Sequence, residues 1–249
     1  MNLRLYIVFS VFALAAAGSP AANAACSNAS VNGVYGIIST GLNGSLQPAA
    51  SVDQITADGA GNITGTSTKS IDGSIVTFTF TGTYSIAANC NGKATFKNQD
   101  GTTEHDNIFL NNNNTGAFLI QTDSNHVQSS VAVARGAATC TNLAVKRSYS
   151  FEGTGMVIGT GQVAVAGRLS LNGTGSITGT ETLSLNGAIS SSVPVTGTYQ
   201  INADCTGTAT FTPNGFSPTH LSLVVVNADK EIMVIETDPN TIVAGTFQQ

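Results

Sequence analysis

From Val76 to Ile86 the chain alternates with a period of two. Val76, Phe78, Phe80, Gly82, Tyr84 and Ile86 fall on one row, and Thr77, Thr79, Thr81, Thr83 and Ser85 on the other. Wound as a helix, these residues would scatter around the circumference; extended, they sort onto two faces, so the pattern predicts a strand with one buried side. The same rhythm returns in Val193, Val195, Gly197, Tyr199 and Ile201 against Pro194, Thr196, Thr198 and Gln200. A glycine inside so long a strand predicts a bend of the kind a curved sheet or barrel needs.

Turn signals divide the remainder. Asp58-Gly59-Ala60-Gly61-Asn62 and Asn172-Gly173-Thr174-Gly175-Ser176 read as hairpin loops, as do Asp72-Gly73 and Asn186-Gly187. Cys90-Asn91-Gly92, the run 111–114 and Thr122-Asp123-Ser124-Asn125 read as further turns. Outside the N-terminal apolar run, no stretch shows a convincing 3.6-residue period.

The chain is a tandem duplication. At a shift of 114 residues Cys26 falls on Cys140, Tyr35 on Tyr149, and Ile63-Thr64-Gly65-Thr66 on Ile177-Thr178-Gly179-Thr180. One added residue before Gly197 raises the shift to 115. Gly82-Thr83-Tyr84 then meets Gly197-Thr198-Tyr199, Cys90 meets Cys205, and Thr122-Asp123 meets Thr237-Asp238. A single slip across a whole unit is too orderly for shared composition. About eight sequential strands per copy follow from the turn signals. The expected fold is all-β: two antiparallel units, each an eight-stranded up-and-down barrel, with a two-sheet sandwich as the alternative.

Residues 1–24 read as an export signal, with Arg4, the apolar run Leu5 to Ala17, and the Ala22-Asn23-Ala24 cleavage site. That run is too short for a membrane span. Lipidation at Cys26 is disfavoured because Asn23 stands where lipoprotein signals place an aliphatic residue. The first repeat is expected over 26–136 and the second over 140–249. Localisation is expected to be secreted, periplasmic or at the cell surface.

Without the signal the chain has eight basic against fourteen acidic residues, a net charge of −6. That argues against a nucleic-acid surface. Only 9% of residues are charged, against about a quarter in an ordinary soluble domain. The surface is therefore expected to consist of Ser, Thr, Asn and Gly. An outer-membrane barrel fits poorly, since there is no Trp and threonine-rich faces make no lipid band. The chain is not expected to be an integral membrane protein. In an oxidising compartment four cysteines predict disulfides. Of the three pairings, Cys26–Cys90 with Cys140–Cys205 closes each copy on itself.

Candidate chemistry is sparse. The loop 58–62 superficially resembles a calcium loop, but its counterpart 172–176 has no carboxylate, and a hairpin is preferred. His105 coincides with His220 at a shift of 115, on the face opposite Ile108 and Leu110 in copy one and opposite Leu221, Leu223 and Val225 in copy two. Asp106 becomes Leu221, so no neighbouring carboxylate is matched beside both histidines, and His126 faces Thr241. Asp123 and Asp238 read as turn caps. Tyr84 and Tyr199 lie on the apolar rows as core residues and become ligand contacts if a barrel interior is left partly empty. Asn-x-Ser/Thr sequons at Asn28, Asn43, Asn62, Asn113 and Asn172 matter only in a glycosylating host. No nucleophile elbow, metal-spaced histidine pair or repeated carboxylate pair is present, so no catalytic residue, metal or cofactor is expected.

At Cys26-Ser27-Asn28-Ala29, Asn32-Gly33-Val34-Tyr35-Gly36, Asp58-Gly59-Ala60-Gly61-Asn62-Ile63-Thr64-Gly65 and Gly82-Thr83-Tyr84 the chain resembles a group of uncharacterised secreted bacterial β-repeat proteins, over both copies. The resemblance implies export and brings no activity. Gly33-Val34-Tyr35 is also faintly similar to the lipocalin Gly-x-Trp opening, with Tyr for Trp; copy two has Arg147-Ser148-Tyr149 there, without the glycine. Two functions are expected from different classes. One is an exported non-catalytic binding or surface-structural protein; the other is a lipocalin- or cyclase-like barrel carrying or isomerising a small apolar molecule. The expected partner is accordingly a small apolar ligand or a cell-surface component, with Tyr84, Tyr199, His105 and His220 as candidate ligand contacts.

Overall fold

The computed structural model describes residues 25–111 and 113–249, so the export signal lies outside the described residues. The chain forms two closed eight-stranded antiparallel barrels in strict sequence order. The first comprises β1 (Asn32–Leu42), β2 (Pro48–Asp58), β3 (Asn62–Ile71), β4 (Ser74–Ile86), β5 (Asn91–Asn98), β6 (Thr103–Leu110), β7 (Gly116–Gln121) and β8 (Val127–Ala134). The second comprises β9 (Ser148–Val157), β10 (Gly161–Leu171), β11 (Ser176–Leu185), β12 (Ala188–Ile201), β13 (Thr206–Pro213), β14 (Thr219–Val226), β15 (Glu231–Glu236) and β16 (Thr241–Gln248). β1 closes on β8 from Tyr35↔Ala134 to Leu42↔Val127, and β9 closes on β16 from Ser150↔Gln248 to Val157↔Thr241. Closure leaves no open sheet edge, which excludes the sandwich alternative.

The period-2 rows do what their chemistry dictates: apolar side chains fill the lumen and threonines face out. Gly82 and Gly197 are needed where strands approach closely. A Cβ at Gly82 would meet the Thr95 carbonyl at 2.5 Å, and one at Gly197 the Thr210 carbonyl at 2.2 Å. The extra residue of the second copy is a β-bulge. Glu181 opposes Val193 but Leu183 opposes Ser190, so Thr182 faces both Ser191 and Ser192, with Ser192 at φ +55°.

One end of each barrel is sealed by the segment that precedes its first strand. The bridges are Cys26–Cys90 and Cys140–Cys205. Within each lid an asparagine side-chain oxygen accepts a strand N–H: Asn28 from Ile86 at 2.8 Å and Asn142 from Ile201 at 2.7 Å. The Cys26 sulfur is thus held in a cross-link within its own barrel.

The barrels meet through unlike faces. β14–β16 of the second lie on β1–β3 of the first, burying Ala50, Val52, Val224, Val226, Met233, Ile235, Ile242 and Ala244 in a third apolar cluster. Backbone N–H groups of Asn227, Ala228 and Asn240 donate to the carbonyls of Ala134, Arg135 and Gly73. The outward positions of β6 and β7 stay free in the first barrel, with Phe109, Phe118 and Ile120 at 44%, 62% and 48% exposure. Duplicated positions therefore have opposite environments. Met233→Ala is expected to lower unfolding free energy by about 3 kcal/mol, whereas Phe118→Ala, at the equivalent position, should change it by less than about 1 kcal/mol. Urea titration of both variants checks this; equal effects would contradict the interface.

Candidate functional site

The end of each barrel remote from its lid is where the two copies diverge. In the first barrel the lumen there is lined by Ser39, Ser51, Asp53, Ser67, Lys69, Asn98, Glu104, Asp106, Gln121, Gln128 and Ser130, around a cavity of only about 50 Å³. These side chains fill the space and several bond one another, while Asp53 Oδ1 and Gln128 Oε1 are buried without a hydrogen-bond partner among the described residues. Ser39 and Ser130 hydroxyls are 2.7 Å apart, Ser51 donates to Asp53 at 3.1 Å, and Asn98 donates to Glu104 at 3.2 Å. Lys69 Nζ reaches Glu104 at 3.5 Å. Deeper in, Phe80 and Phe96 pack edge to face at 5.5 Å. Burial pushes the Asp53 carboxyl up to about 6 and that of Asp106 up to about 7, the latter helped by the nearby Glu104, Asp123 and Asp53 charges.

In the second barrel the same positions enclose about 420 Å³. The inward residue at Ser51 has become Val165, at Lys69 Leu183, at Asp106 Leu221 and at Gln128 Val243. Phe78 and Phe80, which occupy the first lumen, correspond to Val193 and Val195. Phe151 and Phe211 form the floor, and Phe247 packs against both from beneath, with the three ring centroids 5.6 to 6.4 Å apart. Phe216, in the β13–β14 loop, stands at the mouth, 41% exposed. An eight-stranded barrel is just wide enough to be filled by its own side chains or to hold one small ligand. This chain does each once.

Two inward-pointing acids interrupt the apolar wall, Glu181 on β11 and Glu236 on β15, while the exposed Glu152 on β9 lies at the margin. Those strands are four places apart around a ring of eight, on opposite sides of the lumen. Glu181 is only 6% exposed. Burial raises its carboxyl above the ordinary range. Burial likewise pushes Glu236 to about 7, with the Asp238 charge adding to the effect and His220 opposing it. Among the described residues no Lys, Arg or His lines the cavity. Neither acid was singled out by the sequence reading, although period-2 parity places Glu181 on the inward row with Ile177 and Leu183.

The four expected ligand contacts lie elsewhere. Tyr84 and Tyr199 are at the lidded ends. The Tyr84 hydroxyl lies 2.5 Å from the Val31 carbonyl and 3.0 Å from that of Asn28. That of Tyr199 donates to Asn142 at 3.0 Å and accepts from Gly173 N–H at 2.9 Å. His105 and His220 stand on the outer surfaces, 50% and 55% exposed at the side chain. Each has a carboxylate partner, contrary to the sequence reading, which compared only immediate neighbours. His105 Nδ1 is 2.7 Å from Asp123 Oδ1 and its backbone N–H donates to Oδ2, also at 2.7 Å; His220 and Asp238 repeat this at 2.6 and 2.7 Å. The signal was the identical 18-residue spacing in both copies. Burial alone would raise the Asp123 carboxyl, but hydrogen bonds from the His105 ring and backbone and from Gln121 hold it below the usual range. These pairs clasp β6 to β7 and β14 to β15.

The hairpin reading of 58–62 holds. Asp58 Oδ1 accepts from the N–H groups of Ala60, Gly61 and Asn62, and Asn172 Oδ1 accepts from those of Thr174 and Ser176. Among the described residues no group of three His, Cys, Asp or Glu is placed to hold a metal, and no helix is long and apolar enough to cross a membrane.

No protein-family model and no curated protein matches the chain. Among solved structures it is similar to the crystal structure of the isotype 1 transferrin binding protein B from serogroup B Neisseria meningitidis. The identity is 10% and the TM-score 0.36, over 87% of this chain and 75% of that one. At that identity and score the likeness has no bearing on what this chain binds.

Proposed function

We propose that this is an exported, non-catalytic binding protein whose second barrel takes one small, largely apolar molecule, while the first barrel is a filled scaffold. The observation that carries this reading is the contrast between about 420 Å³ and about 50 Å³ at equivalent positions of two copies of one unit. Keeping such a volume open forfeits packing, since large-to-small changes in a core cost a few kcal/mol unless something refills the space. The wall is aliphatic and aromatic with few polar groups, the usual make-up of a small-molecule pocket. A binding role is favoured by the lining, which is mainly aliphatic and aromatic, with Glu181 and Glu236 as its inward carboxyl groups.

Titration with N-phenyl-1-naphthylamine, a neutral dye that brightens in apolar surroundings, tests it. One saturable site per chain is expected. Val165→Trp, pointing into the lumen, should weaken dye binding at least tenfold, and Ala166→Trp, the next residue and exposed on the outer face, should leave it unchanged. No dye site in the parent protein, or undiminished binding by Val165→Trp, would refute the reading.

A further inference from the structure

The two acids in the second cavity narrow the class of ligand. Burying a carboxyl group in an apolar wall is unfavourable unless something compensates it. The first barrel supplies such compensation from within, setting Lys69 against Glu104 at 3.5 Å. In the second barrel the Lys69 position is Leu183 and the Glu104 position is Thr219, so the resident ion pair is gone. In the same lumen Ser67 has been replaced by Glu181 and Gln121 by Glu236. The first lumen thus sets three acids, Asp53, Glu104 and Asp106, beside Lys69, whereas the second has two inward acids, Glu181 and Glu236, at new positions and no lining cation among the described residues. Among the described residues neither has a cationic partner: the ion pairs are Lys69–Glu104, His105–Asp123 and His220–Asp238.

We propose that the second barrel binds an apolar amine, its ammonium group held between Glu181 and Glu236 on opposite walls and its hydrocarbon body against Val165, Leu183, Leu221 and the Phe151–Phe211 floor. This rests on the cavity being a ligand site, and adds the chemistry of the ligand. Glu181 is more than nine-tenths buried and faces the cavity, and among the described residues its carboxyl group has no hydrogen-bond partner, so a donor is wanted there. An ammonium group supplies three donors and the missing positive charge. A fatty acid would bring a third negative charge into the same low-dielectric space. A bare divalent ion would find only two carboxyl groups and an apolar wall, short of the six or more oxygens such ions take.

The charged surroundings of the two acids are few. Glu181 is level with Gly167 on β10 and Val193 on β12, neither charged, and Arg168 points outward. Glu236 is level with Leu221 on β14, with His220 and Asp238 outside the wall and exposed Glu152 on β9 at the cavity margin. With Glu236 titrating near 7, an amine should bind better above that pH than below it, because the carboxylate is its partner and the amine stays protonated throughout.

Displacement of N-phenyl-1-naphthylamine from the whole protein by octylamine, 1-octanol and octanoic acid tests this at pH 8 and pH 5.5. At pH 8 octylamine is expected to displace the dye at a concentration at least tenfold lower than octanol, with octanoic acid weakest. The preference should shrink at pH 5.5. In the double variant Glu181→Gln, Glu236→Gln it should vanish while dye binding persists, which also shows the variant to be folded. Equal potency of amine and alcohol, or an amine preference that survives the double substitution, overturns the amine assignment and leaves the cavity reading standing. Absence of dye binding by the parent protein overturns the cavity reading and the amine assignment with it.

Discussion

Asp106→Asn is expected to stabilise the protein by about 2–4 kcal/mol at pH 8 and by almost nothing near pH 4. Asp106 lies in the packed polar lumen of the first barrel, where burial and the Glu104, Asp123 and Asp53 charges push its carboxyl from an ordinary 3.8 up to about 7. A folded-state value above the unfolded one means that the native protein holds a proton the unfolded chain has released. Unfolding free energy therefore falls as pH rises between about 4 and 7, and the loss is complete above 7. A rise of this size is worth about 4 kcal/mol at roughly 1.4 kcal/mol per pH unit. Because Asp53, pushed to about 6, and Glu104 share the same lumen, one substitution should recover only part of it. Asparagine keeps the shape and removes the charge. Urea unfolding of parent and variant at pH 4.5 and pH 8 measures the difference, and an equal effect at both pH values would show that Asp106 is ionised without penalty.

Removal of the second bridge is expected to have a comparable effect in the opposite direction. Cys140 and Cys205 are separated by 65 residues, and a closed loop of that size is worth about 4 kcal/mol in the chain-entropy account. Both cysteines are buried, Cys205 completely, in the cluster that includes Val145 and Tyr199. Cys140→Ala with Cys205→Ala should thus lower the thermal midpoint by roughly 10 °C for a chain of this length. Because the bridge ties down the lid at the far end from the cavity, dye binding by the folded variant should be retained. A midpoint within a degree or two of the parent would mean that the Asn142 and Tyr199 hydrogen bonds hold the lid without help.

Much of the architecture could be read before any coordinates. Alternation from Val76 to Ile86, the 114-to-115 shift and the spacing of turns lead directly to two eight-stranded units with one bridge in each. The rest was hidden for physical reasons. Period-2 parity says which side chains point inward, but not whether they fill the lumen. That depends on the summed volume of residues from eight strands, where Val193 and Val195 replace Phe78 and Phe80. The His105–Asp123 clasp joins two strands across a turn, so comparing immediate neighbours passes over it. The one-residue insertion could be confined to the stretch before Gly197, but only hydrogen-bond register places it at Ser191–Ser192. No chemistry repeated in both copies marks the candidate site, because that site lies where the copies differ.

The mismatch between the two contacting surfaces sets the length of the stack. A third unit seated in the same manner would have to rest on the outer side of β9–β11. There Glu152 stands in place of Ile38 and Arg168 in place of Gln54, and both are exposed. One end of the molecule is therefore terminated by charge, in the way end caps of repeat proteins stop growth. Addition on that side is halted by side chains, although the backbone geometry would permit it.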